Sequence, residues 1–169
     1  GPVLKENLSF YLEKYKIWSS YEPESEGVFI AYASLHGNTA DAVKKLEEIL
    51  LAKNCPKVAI ADLARDDMAE ALEDAFRYGK IVLAASSYNG GVMPFMEDFL
   101  HHLKGKSFQK RTVALVENGS WAPSAKKTMT EILSQMKDIS ILPSSVTIRG
   151  VMKEENITEM NALADELLK

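Results

Sequence analysis

Apolar positions along the chain fall into two alternating regimes. Residues 4 to 18 place Leu4, Leu8, Tyr11, Leu12, Tyr15 and Trp18 at helical spacing, which predicts an amphipathic helix. A polar stretch with Pro23 and Gly27 follows and reads as a linker. From there, short continuous apolar runs alternate with helix-period segments. The runs are 28–33 (VFIAYA), 57–63 (KVAIADL), 80–86 (KIVLAAS), 111–117 (RTVALVE) and a last one within 141–150, centred on SVTIR. The predicted helices cover 38–53, 66–78, 94–103, 123–137 and 154–168. Pro94 stands at a favourable first helical position.

Strands apolar on both faces, separated by helices, imply a parallel sheet covered on both sides. Five such units predict an α/β fold with an open, doubly wound, five-stranded parallel sheet; they are too few for an eight-stranded barrel. The expected division is a connector helix and linker over 1–26 and one domain over 27–169.

In such sheets ligands bind beyond the carboxyl ends of the strands. Three loops there are rich in small and polar residues: 34–39 (SLHGNT), 86–92 (SSYNGGV) and 117–123 (ENGSWAP). The first offers the hydroxyls of Ser34 and Thr39, the amide of Asn38 and a turn at Gly37, and it opens a helix whose first N–H groups favour an anion. It contains no Lys or Arg, so a phosphate would be held by neutral donors. The same residues also read as an ordinary strand–helix turn, with Asn38 as N-cap and Asp41 three residues on. Tyr88 and Trp121 lie in polar loops outside any core period, and two such rings flanking one crevice could stack on a planar group. Phosphate at the first loop and a flat heterocycle between the other two describes flavin mononucleotide, FMN.

Rival motifs are absent. The first loop carries one glycine, not GxGxxG, and the chain has no GxxxxGK[ST]. The third run ends in Ser86-Ser87, where a phosphorelay receiver needs an aspartate. Net charge is -4, which argues against nucleic acid as a partner. No apolar run approaches the roughly 20 residues of a membrane span. The single cysteine, Cys55, has no partner for an internal disulfide, so a cytoplasmic setting is expected. His101 and His102 would point about 100° apart on a helix and do not chelate, so no metal is expected. The chain begins Gly-Pro rather than Met, as a processed chain or a piece of a longer one would.

These loops resemble those of flavodoxins. The chain as a whole resembles the flavodoxin-like domain of flavodiiron proteins, the A-type flavoproteins. YASLHGNT is similar to that family's phosphate loop, SSYNGG to its second flavin loop, and NGSW falls where the family has a loop ending in Gly-Trp. The opening 24 residues resemble the connector to the family's metallo-β-lactamase-like diiron domain. The resemblance implies strand order 2-1-3-4-5. It implies that Ser34, His36, Gly37, Asn38 and Thr39 hold the FMN phosphate, with Leu35 contributing its backbone. Ser87, Tyr88, Asn89, Gly90 and Gly91 would line one side of the isoalloxazine; Asn118, Gly119, Ser120 and Trp121 would line the other. Electrons would arrive from a rubredoxin- or NAD(P)H-linked reductase and pass to a diiron centre in the other domain, which reduces dioxygen or nitric oxide. A head-to-tail homodimer brings flavin and iron together in that family. One departure is Glu117-Asn118, where the family more often has Gly-Ser; a Glu117 facing the flavin would weaken FMN binding. The competing readings are a free-standing flavodoxin or FMN-dependent quinone reductase, and a flavin-free interaction module. The apolar face of residues 4–18 is expected to pack on the domain itself.

Overall fold

A computed structural model describes residues 3–169. Its elements in chain order are α1 (Leu8–Ser19), β1 (Ser25–Ala33), α2 (Asn38–Ala52), β2 (Val58–Asp62), α3 (Met68–Arg77), β3 (Tyr78–Tyr88), β4 (Gly91–Val92), α4 (Pro94–Gly105), β5 (Arg111–Asn118), α5 (Ala125–Leu133), β6 (Ile139–Ile148) and α6 (Glu154–Leu167). The five long strands pair in parallel in the order β2-β1-β3-β5-β6. Set aside the two-residue β4, and this is the expected 2-1-3-4-5 arrangement.

Alternation along each strand sends neighbouring residues to opposite faces. Phe29, Ile81, Leu83, Val113 and Leu115 face α3, α4 and α5, where they meet Leu72, Met96, Phe99, Leu100 and Met129. Val28, Ile30, Val82, Ala84, Val116 and Val146 face α2 and α6, and pack on Leu46, Leu50, Met160 and Leu163. Both faces are therefore dry. Each fully buried large side chain here contributes about 1.5–3 kcal/mol of transfer free energy.

Three departures from the sequence reading have physical causes. First, β3 does not end in a simple loop. Asn89 and Gly90 take φ 47° and 74°, and the chain reverses to pair Tyr88 with Gly91 and Ser87 with Val92, antiparallel. Positive φ at both central residues makes this a two-residue hairpin turn, which Asn-Gly favours. Second, β6 begins at Ile139, earlier than the expected SVTIR. Ile139 and Ile141 pair with Arg111 and Val113, the register then shifts across Leu142–Ser144, and pairing resumes at Ser145 with Leu115. Pro143 sits in the shifted segment, where no ladder donor is needed.

Third, α1 does not pack on the domain: no residue of it is buried, and Leu8, Phe10, Tyr11, Leu12, Tyr15 and Trp18 are all exposed. Its apolar residues run round the helix instead of forming one stripe, and both faces of the sheet are already covered by the other five helices. Polar clamps hold it. Trp18 Nε1 donates to Glu24 Oε2 at 2.8 Å, and Lys14 pairs with the same carboxylate. No described helix is long and apolar enough to cross a membrane.

Candidate functional site

The carboxyl ends of β1, β3, β5 and β6 open into one cleft of about 510 Å³. The first loop supplies Leu35, His36, Asn38 and Thr39. Here α2 begins at Asn38 itself, and Gly37, at φ 91°, takes the N-cap position expected for Asn38. The Gly37 N–H donates to Ser34 Oγ at 3.1 Å, which closes the turn. Ser34 and Gly37 thus shape the loop without lining the cleft. The leading N–H groups of α2 have no intrahelical partner and carry the positive end of its dipole.

The second loop supplies Ser87, Tyr88, Asn89 and Gly90, and also Ser86. Ser86 Oγ lies 3.0 Å from the hydroxyl of the buried Thr39 and accepts from Leu35 N–H at 3.4 Å, so it ties the first two loops together. Ser87 Oγ accepts from the N–H groups of Ser124 at 2.9 Å and Ala125 at 3.3 Å, and so holds the start of α5. Gly91 lies in β4 outside the lining; its carbonyl accepts from Ser124 Oγ at 2.8 Å.

The third loop supplies Asn118, Gly119, Ser120 and Trp121, with Ala122 and Ser124 beyond them. The amide of Asn118 is not free for a ligand. Its Nδ2 donates to Gly150 O at 2.9 Å and its Oδ1 accepts from Gly150 N–H at 3.0 Å. Trp121 is 94% exposed and Tyr88 42%, so both rings have open faces at the mouth of the cleft. Gly150, after β6, forms a fourth wall.

Among the described residues the lining holds no Asp, Glu, Lys or Arg. Glu117 does not enter it. Its carboxylate accepts from Lys126 N–H at 2.9 Å and from Thr147 Oγ1 at 3.0 Å, away from the cleft, so the concern raised by its sequence position does not arise. His101 and His102 are exposed on α4, and His102 faces Asp98 at 3.6 Å. The described residues contain no group of three metal-ligating side chains.

Sequence reasoning missed Ser86, Ala122, Ser124 and Gly150 in the lining. Gly150 had a usable signal, since it follows the last strand and the rule about carboxyl ends applies there too. Ser86 is the last residue of the apolar run 80–86, and its place in the lining comes from its hydroxyl reaching Thr39 and the Leu35 N–H, partners 47 and 51 residues away.

A parallel sheet in this order, with uncharged loops gathered at the carboxyl ends and a switch point between β1 and β3, is the flavodoxin-like architecture. The chain belongs to the flavodoxin family: the model described as "Flavodoxin domain" matches residues 29–158. An anaerobic nitric oxide reductase flavorubredoxin from Escherichia coli is 25% identical over 130 residues, covering 74% of this chain and 26% of that protein. The structure of rubredoxin oxygen:oxidoreductase from Desulfovibrio gigas superposes with a TM-score of 0.86 at 18% identity, over 95% of this chain and 39% of that one. A flavo di-iron protein variant from Thermotoga maritima gives 0.82 at 25% identity, over all of this chain and 42% of that one. The chain therefore spans about a quarter of the length of the curated relatives it matches.

Proposed function

We propose that this chain is an FMN-binding electron-transfer domain that passes electrons to a diiron centre on a metallo-β-lactamase-like domain of the flavodiiron type. The observation that carries the reading is the cleft. Hydroxyls and the N–H groups of a helix start converge at one end, and two exposed aromatic rings stand at the mouth. Its volume lies within the usual range for cofactor sites, roughly 300–1,000 Å³. The donor set also fits the cofactor. A phosphate monoester at the first loop would meet helix N–H groups and the Thr39 hydroxyl. An uncharged ring system would meet Tyr88, Trp121 and the backbone of the glycine-containing turns.

When bound, FMN supplies the redox chemistry, and the protein supplies binding and orientation. The lining is built mainly of hydroxyls, amides, glycines and aromatic rings, with His36 and Tyr88 its titratable side chains, a set suited to holding a cofactor. In this reading Ser86 and Ser87 act structurally. The first locks the phosphate loop to the ring loop, and the second fixes the start of α5. The electron donor is proposed to be rubredoxin-linked, because the names of two relatives, a flavorubredoxin and a rubredoxin oxygen:oxidoreductase, include it.

The test is a titration of flavin-free protein with FMN, followed by quenching of flavin fluorescence. Binding at micromolar concentration or tighter, about -8 kcal/mol, that weakens in Trp121→Ala and in Thr39→Ala supports the proposal. Absence of saturable binding at tens of micromolar overturns it and leaves an interaction module as the better reading.

A further inference from the structure

Tyr88 and Trp121 reach the cleft from different loops, and both rings are exposed, so neither is held by packing of its own. Their relative position depends on the backbone beside each. Tyr88 lies in a hairpin whose return strand, β4, has two residues, and a hairpin that short is marginal by itself in water. Trp121 is followed by Ala122, Pro123 and Ser124, and Pro123 stiffens that tether. Ser124 is the N-cap residue of α5, yet its side chain makes no capping bond. A serine there ordinarily accepts from an N–H of its own helix. Here the first N–H groups of α5 are served from neighbouring strands: Ala125 by Ser87 Oγ at 3.3 Å and Lys126 by the Glu117 carboxylate at 2.9 Å. The Ser124 hydroxyl is directed at the hairpin instead. Its Oγ donates to Gly91 O at 2.8 Å, and its N–H donates to Ser87 Oγ at 2.9 Å.

We infer that Ser124 is a positioning residue for the flavin ring: it braces the Tyr88 hairpin against the Trp121 loop and sets the spacing of the two rings before a ligand enters. The inference rests on the FMN reading for its ligand. Ser87 and Gly91 flank Tyr88 on either side of the Asn89-Gly90 turn, and Ser124 binds both. On the other side of Trp121, Gly119 packs so closely on Ser87 that no Cβ fits. Each ring is thus bracketed by residues that touch the brackets of the other. Thr128 Oγ1 donates to Ser124 O at 3.3 Å and so ties the brace to the first turn of α5. A slot fixed in advance reduces the ordering that binding must impose on two loops, which raises affinity for a flat, uncharged ring. A capping serine that does not cap its own helix breaks a local rule, and this second duty accounts for it.

The test separates the brace from general stability. Backbone amide order parameters from NMR relaxation describe motion within the folded state and do not follow the folding equilibrium. They are measured on the flavin-free chain for the wild type, Ser124→Ala and Ser87→Ala. Residues 88–91 should stand near about 0.85 in the wild type and fall toward about 0.6 in Ser124→Ala, a change in one loop caused by a hydroxyl of another. Ser87→Ala should loosen residues 119–124 in the same way. FMN is then titrated into the wild type and Ser124→Ala. The Kd should rise about three- to tenfold on loss of one hydrogen bond. The bound flavin should also retain more fluorescence, because the rings that quench it are less fixed. Order parameters in 88–91 that match the wild type overturn the inference. So does a Ser124→Ala protein with wild-type Kd and quenching, since the brace would then not serve the ligand. Absence of saturable FMN binding by the wild type overturns the FMN reading, and the positioning role with it.

Discussion

Asn118 and Gly150 form a closed pair: one side-chain amide satisfies both backbone groups of one glycine, at 2.9 and 3.0 Å. The amide imitates the edge of a strand. It continues the β5–β6 ladder past its last paired residues, Asn118↔Ile148. Gly150 takes φ 84°, so the chain can turn there and present its backbone to the amide. Asn118→Ala should cost about 1–3 kcal/mol, because it removes both partners from Gly150 at a site that is itself 7% exposed. Asn118→Asp should cost more than Ala, since a carboxylate oxygen would face the Gly150 carbonyl. Urea denaturation with an unchanged m-value checks both; an Asp variant as stable as wild type would refute the pairing as drawn.

Gly119 is fixed by space rather than by φ. A Cβ there would stand 2.8 Å from Ser87 Oγ, 3.2 Å from Ser87 Cβ and 2.9 Å from Pro123 Cα. Two of these atoms belong to the side chain that holds the start of α5, and the third is backbone that cannot rotate away. Gly119→Ala is therefore expected to cost about 1–3 kcal/mol of stability and to weaken FMN binding at least tenfold by displacing the third loop. Adding Ser87→Gly should recover only part of the loss, because the Pro123 contact remains. Full recovery in the double variant would show that the backbone approach is not the limiting contact.

Much of the architecture was legible because burial on both faces writes itself as uninterrupted apolar runs. Val28–Ala31, Ile81–Ala85 and Val113–Val116 are buried throughout, and each was read as a strand. The three loops were legible for a related reason: strand ends followed by glycine, amide and hydroxyl residues mark where such a sheet takes a ligand. The hairpin at Asn89-Gly90 was present in the sequence as an Asn-Gly pair but was read as ring-binding chemistry instead of turn chemistry. The placement of α1 was not legible. Helical spacing shows that a helix forms; whether a face remains for it depends on how completely α2 to α6 cover the sheet. The role of Asn118 was hidden in the same way, because its partner lies 32 residues further on, across a strand pairing.

Arg111 opens β5 at the end of the sheet opposite the cleft and is 2% exposed. Its guanidinium donates to the carbonyls of Tyr21 at 2.6 Å, Gln109 and Lys110 at 3.0 Å each, and Phe76 at 2.5 Å. Among the described residues it has no carboxylate partner, since Glu22 is taken by Lys110 at 2.7 Å. Burial accordingly holds its pKa below the ordinary arginine value, with the nearby Glu22 carboxylate acting the other way. A planar fork reaching four carbonyls explains why the cation is arginine. It also joins the linker at Tyr21 to the body of the domain. Arg111→Met should destabilise by about 2–4 kcal/mol, because several buried carbonyls lose their donor together. Arg111→Lys should fall between Met and wild type. Chemical denaturation of the three proteins gives the order, and a Met variant at wild-type stability would mean that water satisfies those carbonyls instead.

The attachment of α1 depends on one carboxylate. Glu24 accepts from Trp18 Nε1 and pairs with Lys14, and these two hydrogen bonds, that of Lys14 first, hold its pKa below the ordinary 4.5. A carboxylate depressed in the folded state contributes stability that is fully present above its unfolded value and is lost as pH falls through the folded one. The Glu24 side chain is 23% exposed and the Lys14 side chain 26%, so solvent screening keeps the contribution below about 1 kcal/mol. That is small for the whole fold but large for a helix in which no residue is fully buried. Acidification from pH 6 to pH 3 should therefore release α1 before the sheet unfolds. In a Trp121→Phe background, Trp18 is the only tryptophan left, and its emission should shift in a step below pH 4.5 that precedes the loss of far-ultraviolet circular dichroism. Glu24→Gln should show the released spectrum already at neutral pH. A Trp18 signal that stays flat until global unfolding would mean that α1 is held by something other than this clamp.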